Sequence, residues 1–170
     1  MYKRQIVESE KRQLQTSSTS LSIIPPFEPL SCNANGFGPC QPFTEIFGTS
    51  RTFQDLVTIP CGSCVVIDHP SGTNLNFRDG LDIRGKLIFP EPSDPEYQLR
   101  TRAPGIVVQG ELEVMATKPV DGDFNYRFVM VDDEDFSFTP AANNEGVCSS
   151  GTCSGGKRSF TVAGGKLNRK

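Results

Sequence analysis

Gly80-Leu81-Asp82-Ile83-Arg84-Gly85-Lys86-Leu87-Ile88-Phe89 aligns without a gap on Gly105-Ile106-Val107-Val108-Gln109-Gly110-Glu111-Leu112-Glu113-Val114, a shift of 25 residues. Apolar side chains recur at Leu81, Ile83, Leu87 and Phe89, then at Ile106, Val108, Leu112 and Val114. Within each unit the apolar-x-apolar alternation sets two side chains on one face of an extended segment. The central glycine permits a corner, or a positive φ, before the second pair. Each unit therefore reads as strand, bend, strand. A third, looser copy runs Phe160-Thr161-Val162-Ala163-Gly164-Gly165-Lys166-Leu167, with one extra residue between its strands. One strand-bend-strand per period of this length is the spacing of successive coils in a solenoid whose equivalent strands stack in parallel. The expected fold is all-β: the opening coils of a right-handed parallel β-helix behind an irregular N-terminal cap. The alternative is a β-sandwich whose hairpins share only their turn chemistry.

Outward from the repeat, the texture stays the same. Short β-type runs lie at Leu56 to Ile59, Val65 to Ile67, Phe128 to Val131 and Phe160 to Val162, with glycine and proline between them. Strands this short are not stable as separate hairpins, so they are expected to join a larger sheet system. No long segment shows apolar residues at helical spacing. Residues 1–31 read as a disordered or artefactual segment, and residues 32–52 as a cysteine-containing cap or linker anchored by Phe37, Phe43 and Phe47. Tyr2-Lys3-Arg4-Gln5 is the translation of TAT AAG AGA CAG, the end of a common sequencing adapter. The first five residues are accordingly expected to be an assembly scar, and the missing signal peptide to reflect a truncated N-terminus. Residues 53–170 form the expected β-helix module.

Seventeen basic against 20 acidic residues leave a net charge of −3, without the basic excess that releases counterions from nucleic acid. Nucleic acid is not an expected partner. No run approaches the length of a membrane span, so direct membrane insertion is not expected either. Six cysteines, Cys32, Cys40, Cys61, Cys64, Cys148 and Cys153, lie in Gly-, Ser- and Pro-rich turns, which suits structural disulfides formed in an oxidising compartment. Fifteen pairings are possible for six cysteines; proximity suggests Cys32 with Cys40 and Cys148 with Cys153.

Other constellations favour structure over chemistry. Cys61-Gly62-Ser63-Cys64 precedes a strand rather than opening a helix, which argues against a low-pKa redox thiolate, and Cys148 and Cys153 complete a zinc spacing poorly. Asp121-Gly122-Asp123-Phe124-Asn125 starts like a calcium loop, but Tyr126 and Asp132 occupy the positions that need Gly and Glu. The acidic run Asp132-Asp133-Glu134-Asp135 reads as a solvated loop. Asp82, Arg84, Gln109 and Glu111 are candidates for a polar row on stacked coils, with surface solubility as the default. His69, the single histidine, reads as marking a turn. No catalytic residue, cofactor or metal is assigned.

The repeat, together with Val57-Thr58-Ile59-Pro60-Cys61-Gly62-Ser63-Cys64-Val65-Val66-Ile67-Asp68, resembles the G-eight (eight-glycine) domain over about residues 53–168. That family includes fibrocystin-like receptors and hyaluronan-depolymerising cell-surface proteins, and this chain looks like its microalgal form. A strand ending Thr-Ile-Pro, a Val-Val-Ile-Asp strand, the doubled glycine unit and a closing Gly-Gly-x-Leu occur in the family's order. The resemblance implies Gly62, Gly80, Gly85, Gly105, Gly110 and Gly165 as structural glycines. It also implies an extracellular or cell-surface recognition or scaffold module, without catalysis of its own. An extracellular, hyaluronan-like polysaccharide or a cell-surface protein is its implied partner. The alternative is the N-terminal part of a polysaccharide hydrolase or lyase whose active site lies outside this chain. The cysteines in the first turn and the insertion from Asp132 to Cys153 depart from the family's simple pattern.

Overall fold

The computed structural model describes residues 27–116, 125–131, 135–148 and 150–169. The first 26 residues, including the expected assembly scar, lie outside these, as do most of the calcium-like loop and Asp132, Asp133 and Glu134 of the acidic run.

The described residues form a parallel β-solenoid of about 3 turns, 44% of them in strands and 8% in helices. A 3-10 turn at Ser31–Asn33 leads to β1 (Cys40–Pro42) and a single-turn helix, α1 (Phe43–Phe47). The first coil is β2 (Thr52–Phe53), β3 (Val57–Ile59) and β4 (Cys64–Val66). The second is β5 (Thr73–Phe77), β6 (Leu81–Ile83) and β7 (Lys86–Phe89), and the third β8 (Leu99–Ala103), β9 (Gly105–Val108) and β10 (Glu111–Val114). A last coil opens with β11 (Tyr126–Met130), detours through β12 (Asp135–Phe138), a 3-10 turn at Ala142–Asn144 and β13 (Cys153–Lys157), and closes with β14 (Ser159–Val162) and β15 (Lys166–Arg169).

Three parallel sheets result, ordered β1-β4-β7-β10-β15, β11-β8-β5-β2 and β14-β9-β6-β3, with β12 and β13 paired antiparallel outside them. The doubled unit stacks in register, Leu81 on Ile106 and Leu87 on Leu112. The looser third copy also stacks, Phe160 on Ile106 and Leu167 on Leu112, so its extra residue is absorbed in the bend. The inward residues Ile59, Val65, Leu75, Leu81, Ile83, Leu87, Phe89, Ile106, Val108 and Leu112 form one continuous buried column. This stacking excludes the β-sandwich.

The repeat glycines act through close approach more than through backbone freedom. Gly80, at φ 103, needs a conformation that side chains resist. Gly85, Gly110 and Gly165 do not have positive φ; they form a column at one corner where each coil's backbone meets the next. A Cβ on Gly110 would strike the carbonyl oxygens of Arg84 and Gly85, and one on Gly165 would sit 2.5 Å from the Val108 oxygen. Gly105 leaves room instead for the Phe136 ring of β12, which lies where its side chain would be.

Residues 27–33 lie against the coils. Phe27 packs on Phe138, and Leu30 is buried. From there the chain runs along the glycine corner, tied by Glu28 to Asn144, by the Asn33 side-chain amide to the Arg84 carbonyl, and by Gly62 N–H to Asn33 Oδ1. At the first coil Phe43 of α1 enters the core with no exposed surface, closing that end.

The disulfides join Cys32 to Cys61, Cys40 to Cys64 and Cys148 to Cys153. The local Cys32–Cys40 pairing is therefore incorrect: β1 lies beside β4, with Cys40 opposite Cys64 and their Cα atoms 4.3 Å apart. Coil stacking overrides proximity in sequence. With 29 residues separating Cys32 from Cys61, chain entropy assigns that bond about 3–4 kcal/mol of stabilisation. Proteolysis and mass spectrometry without reduction should recover Cys32–Cys61 and Cys40–Cys64 peptides. Cys32→Ser with Cys61→Ser should lower unfolding free energy by about that amount, and a Cys32–Cys40 peptide would contradict the register.

Candidate ligand-binding face

Asp82, Arg84 and Gln109 do converge, but as a buried clamp. Asp82 lies on the outer side of β6 with no exposed surface. Arg84 Nε donates to Asp82 Oδ2 at 2.7 Å, and Gln109 Nε2 donates to Asp82 Oδ1 at 2.9 Å. Gln109 Oε1 accepts from Ala141 N–H, and both Gln109 Nε2 and an Arg84 terminal nitrogen donate to the Thr139 carbonyl. The network anchors the segment after β12 to the second and third coils. It satisfies the buried carboxylate and leaves it no access to substrate.

Glu111 belongs to another sheet. With Glu113 it flanks Lys86, whose ammonium lies 2.6 Å from Glu111 and 2.7 Å from Glu113. Burial alone pulls the Lys86 pKa down, yet hydrogen bonds and charge from both glutamates outweigh it and hold it above 10.5. Its stabilising contribution is thus complete at neutral pH and is lost only as pH rises through that raised value.

His69 is buried against Phe43, ring centroids 5.6 Å apart, while its backbone carbonyl accepts the Tyr97 hydroxyl. Cys61 and Cys64 belong to different disulfides, which removes both the redox and the zinc readings of that pair. Among the described residues no group of three or more His, Cys, Asp or Glu is placed to hold a metal ion.

The exposed chemistry lies on a face for which the sequence offered no candidate. In β5, β8 and β11 inward and outward residues alternate as Thr-Asn-Leu-Asn-Phe, Leu-Arg-Thr-Arg-Ala and Tyr-Arg-Phe-Val-Met. Register aligns Asn74, Arg100 and Arg127 in one outward row, and Thr52, Asn76, Arg102 and Val129 in the next. Arg100, Arg102 and Arg127 are exposed, and none enters an ion pair with another described residue. Asn74, Arg100 and Arg127 share a cleft of about 290 Å³ with Gly72, Thr73, Gln98 and Leu99. Beneath it Tyr126 is buried, which raises its pKa, and its hydroxyl donates to the Pro90 carbonyl.

In-register parallel strands repeat about every 4.8 Å, so Arg100 and Arg127 emerge as adjacent cations. Like charges directly opposite each other on neighbouring strands disfavour a sheet. An anion between them reverses that sign, since each guanidinium offers a planar fork to a carboxylate or sulfate. The asparagines add neutral donors and acceptors suited to hydroxyl groups. In the sequence this face is marked only by Arg100-Thr101-Arg102, an alternating strand whose outward residues are basic and whose inward residue is polar.

The fold and this face define a disulfide-tied β-solenoid with an exposed arginine–asparagine surface. No family model, curated protein or solved structure matches the chain.

Proposed function

We propose that this chain is a non-catalytic, extracellular or cell-surface recognition module of the G-eight type, and that it holds acidic polysaccharide on the face formed by β5, β8 and β11. The exposed, in-register Arg100 and Arg127, flanked by Asn74, Asn76 and Arg102, carry the reading. Three disulfides suit an oxidising compartment, and among the described residues no helix is long and apolar enough to cross a membrane.

The test is binding of the expressed chain to arrayed glycans. Acidic glycans should be retained and neutral ones not. Arg100→Ala with Arg127→Ala should weaken retention at least tenfold, about 1.4 kcal/mol, and added salt should weaken it further. Failure to bind any acidic glycan would remove the reading.

One observation supports a second reading, the N-terminal part of a polysaccharide-degrading β-helix enzyme. Among the described residues β11, β14 and β15 each have a strand partner on one side only, and Phe160, Val162 and Leu167 are exposed around that end. Such an end suits a further coil. Sequence beyond Lys170 containing glycine-punctuated coils with clustered carboxylates would favour this reading.

A further inference from the structure

We infer that the arginine face selects a linear polysaccharide bearing an anionic group on every sugar over one charged at every second sugar. This rests on the recognition role proposed above and specifies its ligand class.

The register supplies the argument. Arg100 and Arg127 are direct neighbours across β8 and β11, and Asn74 continues their row on β5. A chain lying along this row crosses the strands and meets a new side chain at each strand step, about 4.8 Å. That step is close to the rise of one sugar in an extended polysaccharide. A polymer with one anion per sugar can place successive anions against Arg100 and Arg127 together. A polymer with one anion per pair of sugars faces one of them and leaves the other opposite a neutral ring. Arg102, two residues along β8 on the same face, sits about 6.6 Å to the side of Arg100, where it reinforces one subsite without changing the spacing.

Single-stranded nucleic acid is the competing polyanion. Its sequence-tolerant binding relies on aromatic stacking platforms, whereas the outward residues here are Thr52, Asn74, Asn76, Arg100, Arg102, Arg127 and Val129. Asparagines favour hydroxyl-rich sugar rings over base faces.

The experiment is titration of the chain, at physiological salt and matched polymer length, with a polyuronate, a polysaccharide sulfated on every sugar, hyaluronan, dextran and single-stranded DNA. The expected order places one of the first two at least tenfold tighter than hyaluronan, with dextran not binding. Which of the two leads identifies carboxylate or sulfate as the recognised group, and either result supports the inference. Arg100→Ala and Arg127→Ala should each abolish the preference over hyaluronan, and Arg127→Lys should retain only part of it. Lys157→Ala, removing equal charge from the outer hairpin, should change nothing. Thermal melts of each variant confirm that these exposed substitutions leave the fold intact. Equal affinity for hyaluronan through the same arginines would overturn the inference and leave the recognition role standing. Absence of binding to every acidic polysaccharide would overturn both, and tighter binding of DNA than of either dense polymer would replace the ligand class.

Discussion

Gly110→Ala is expected to lower unfolding free energy by about 3 kcal/mol or more, a large share of the about 5–15 kcal/mol that holds a domain folded. The added methyl has nowhere to go. It meets the main-chain oxygens of Arg84 and Gly85, with the Arg84 carbonyl carbon 2.6 Å away, and backbone cannot swing aside as a long side chain does. The same stretch carries the inter-coil hydrogen bonds from Gly110 N to Ile83 O at 2.7 Å and from Glu111 N to Gly85 O at 2.8 Å. Moving the coils apart to admit the methyl lengthens both. Gly72→Ala provides the comparison. At φ +78 and with nothing within 4 Å, it bears only the cost of a left-handed backbone, about 1–2 kcal/mol. Denaturant titration of the two variants separates the effects, and a Gly110 variant at least as stable as the Gly72 one would refute close approach as the reason for the glycine column.

Truncation at Phe43 is the second large effect. Its ring is fully buried and lies 4.6 Å from Phe47, 5.6 Å from Phe53 and 6.2 Å from Phe77 by centroid, closing the first coil. Phe43→Ala should cost about 3–5 kcal/mol through lost burial and an unfilled cavity, with the first coil's amide protons exchanging soonest. Phe160→Ala, at the opposite end and 38% exposed, should cost far less. A loss below about 1 kcal/mol at Phe43 would mean that α1 does not close the core.

The coil repeat was legible because inward residues must be apolar at a period of two, and Leu81, Ile83, Leu87 and Phe89 satisfy that in the open. The strands β5 and β8 were not. Thr73 and Thr101 face inward, while Asn74, Asn76, Arg100 and Arg102 break the apolar density that marks a strand. Those polar residues form the candidate site, so the feature that obscured the strands is the one that carries the proposed function. Asp82, Arg84 and Gln109 show the converse. Their spacing drew them together as a polar row, but the excursion through β12 and β13 covers them and makes them a clamp.

Sequence alone thus determined the all-β class, the doubled strand-bend-strand unit and its looser third copy, since each depends on local alternation and a bend. Tertiary structure decided the pairing of Cys32 with Cys61 and Cys40 with Cys64, the packing that requires Gly110, and the alignment of Arg100 with Arg127. All three depend on which residues of one coil lie over those of the next. That register is established by stacking across many intervening residues, and no short window of sequence contains it.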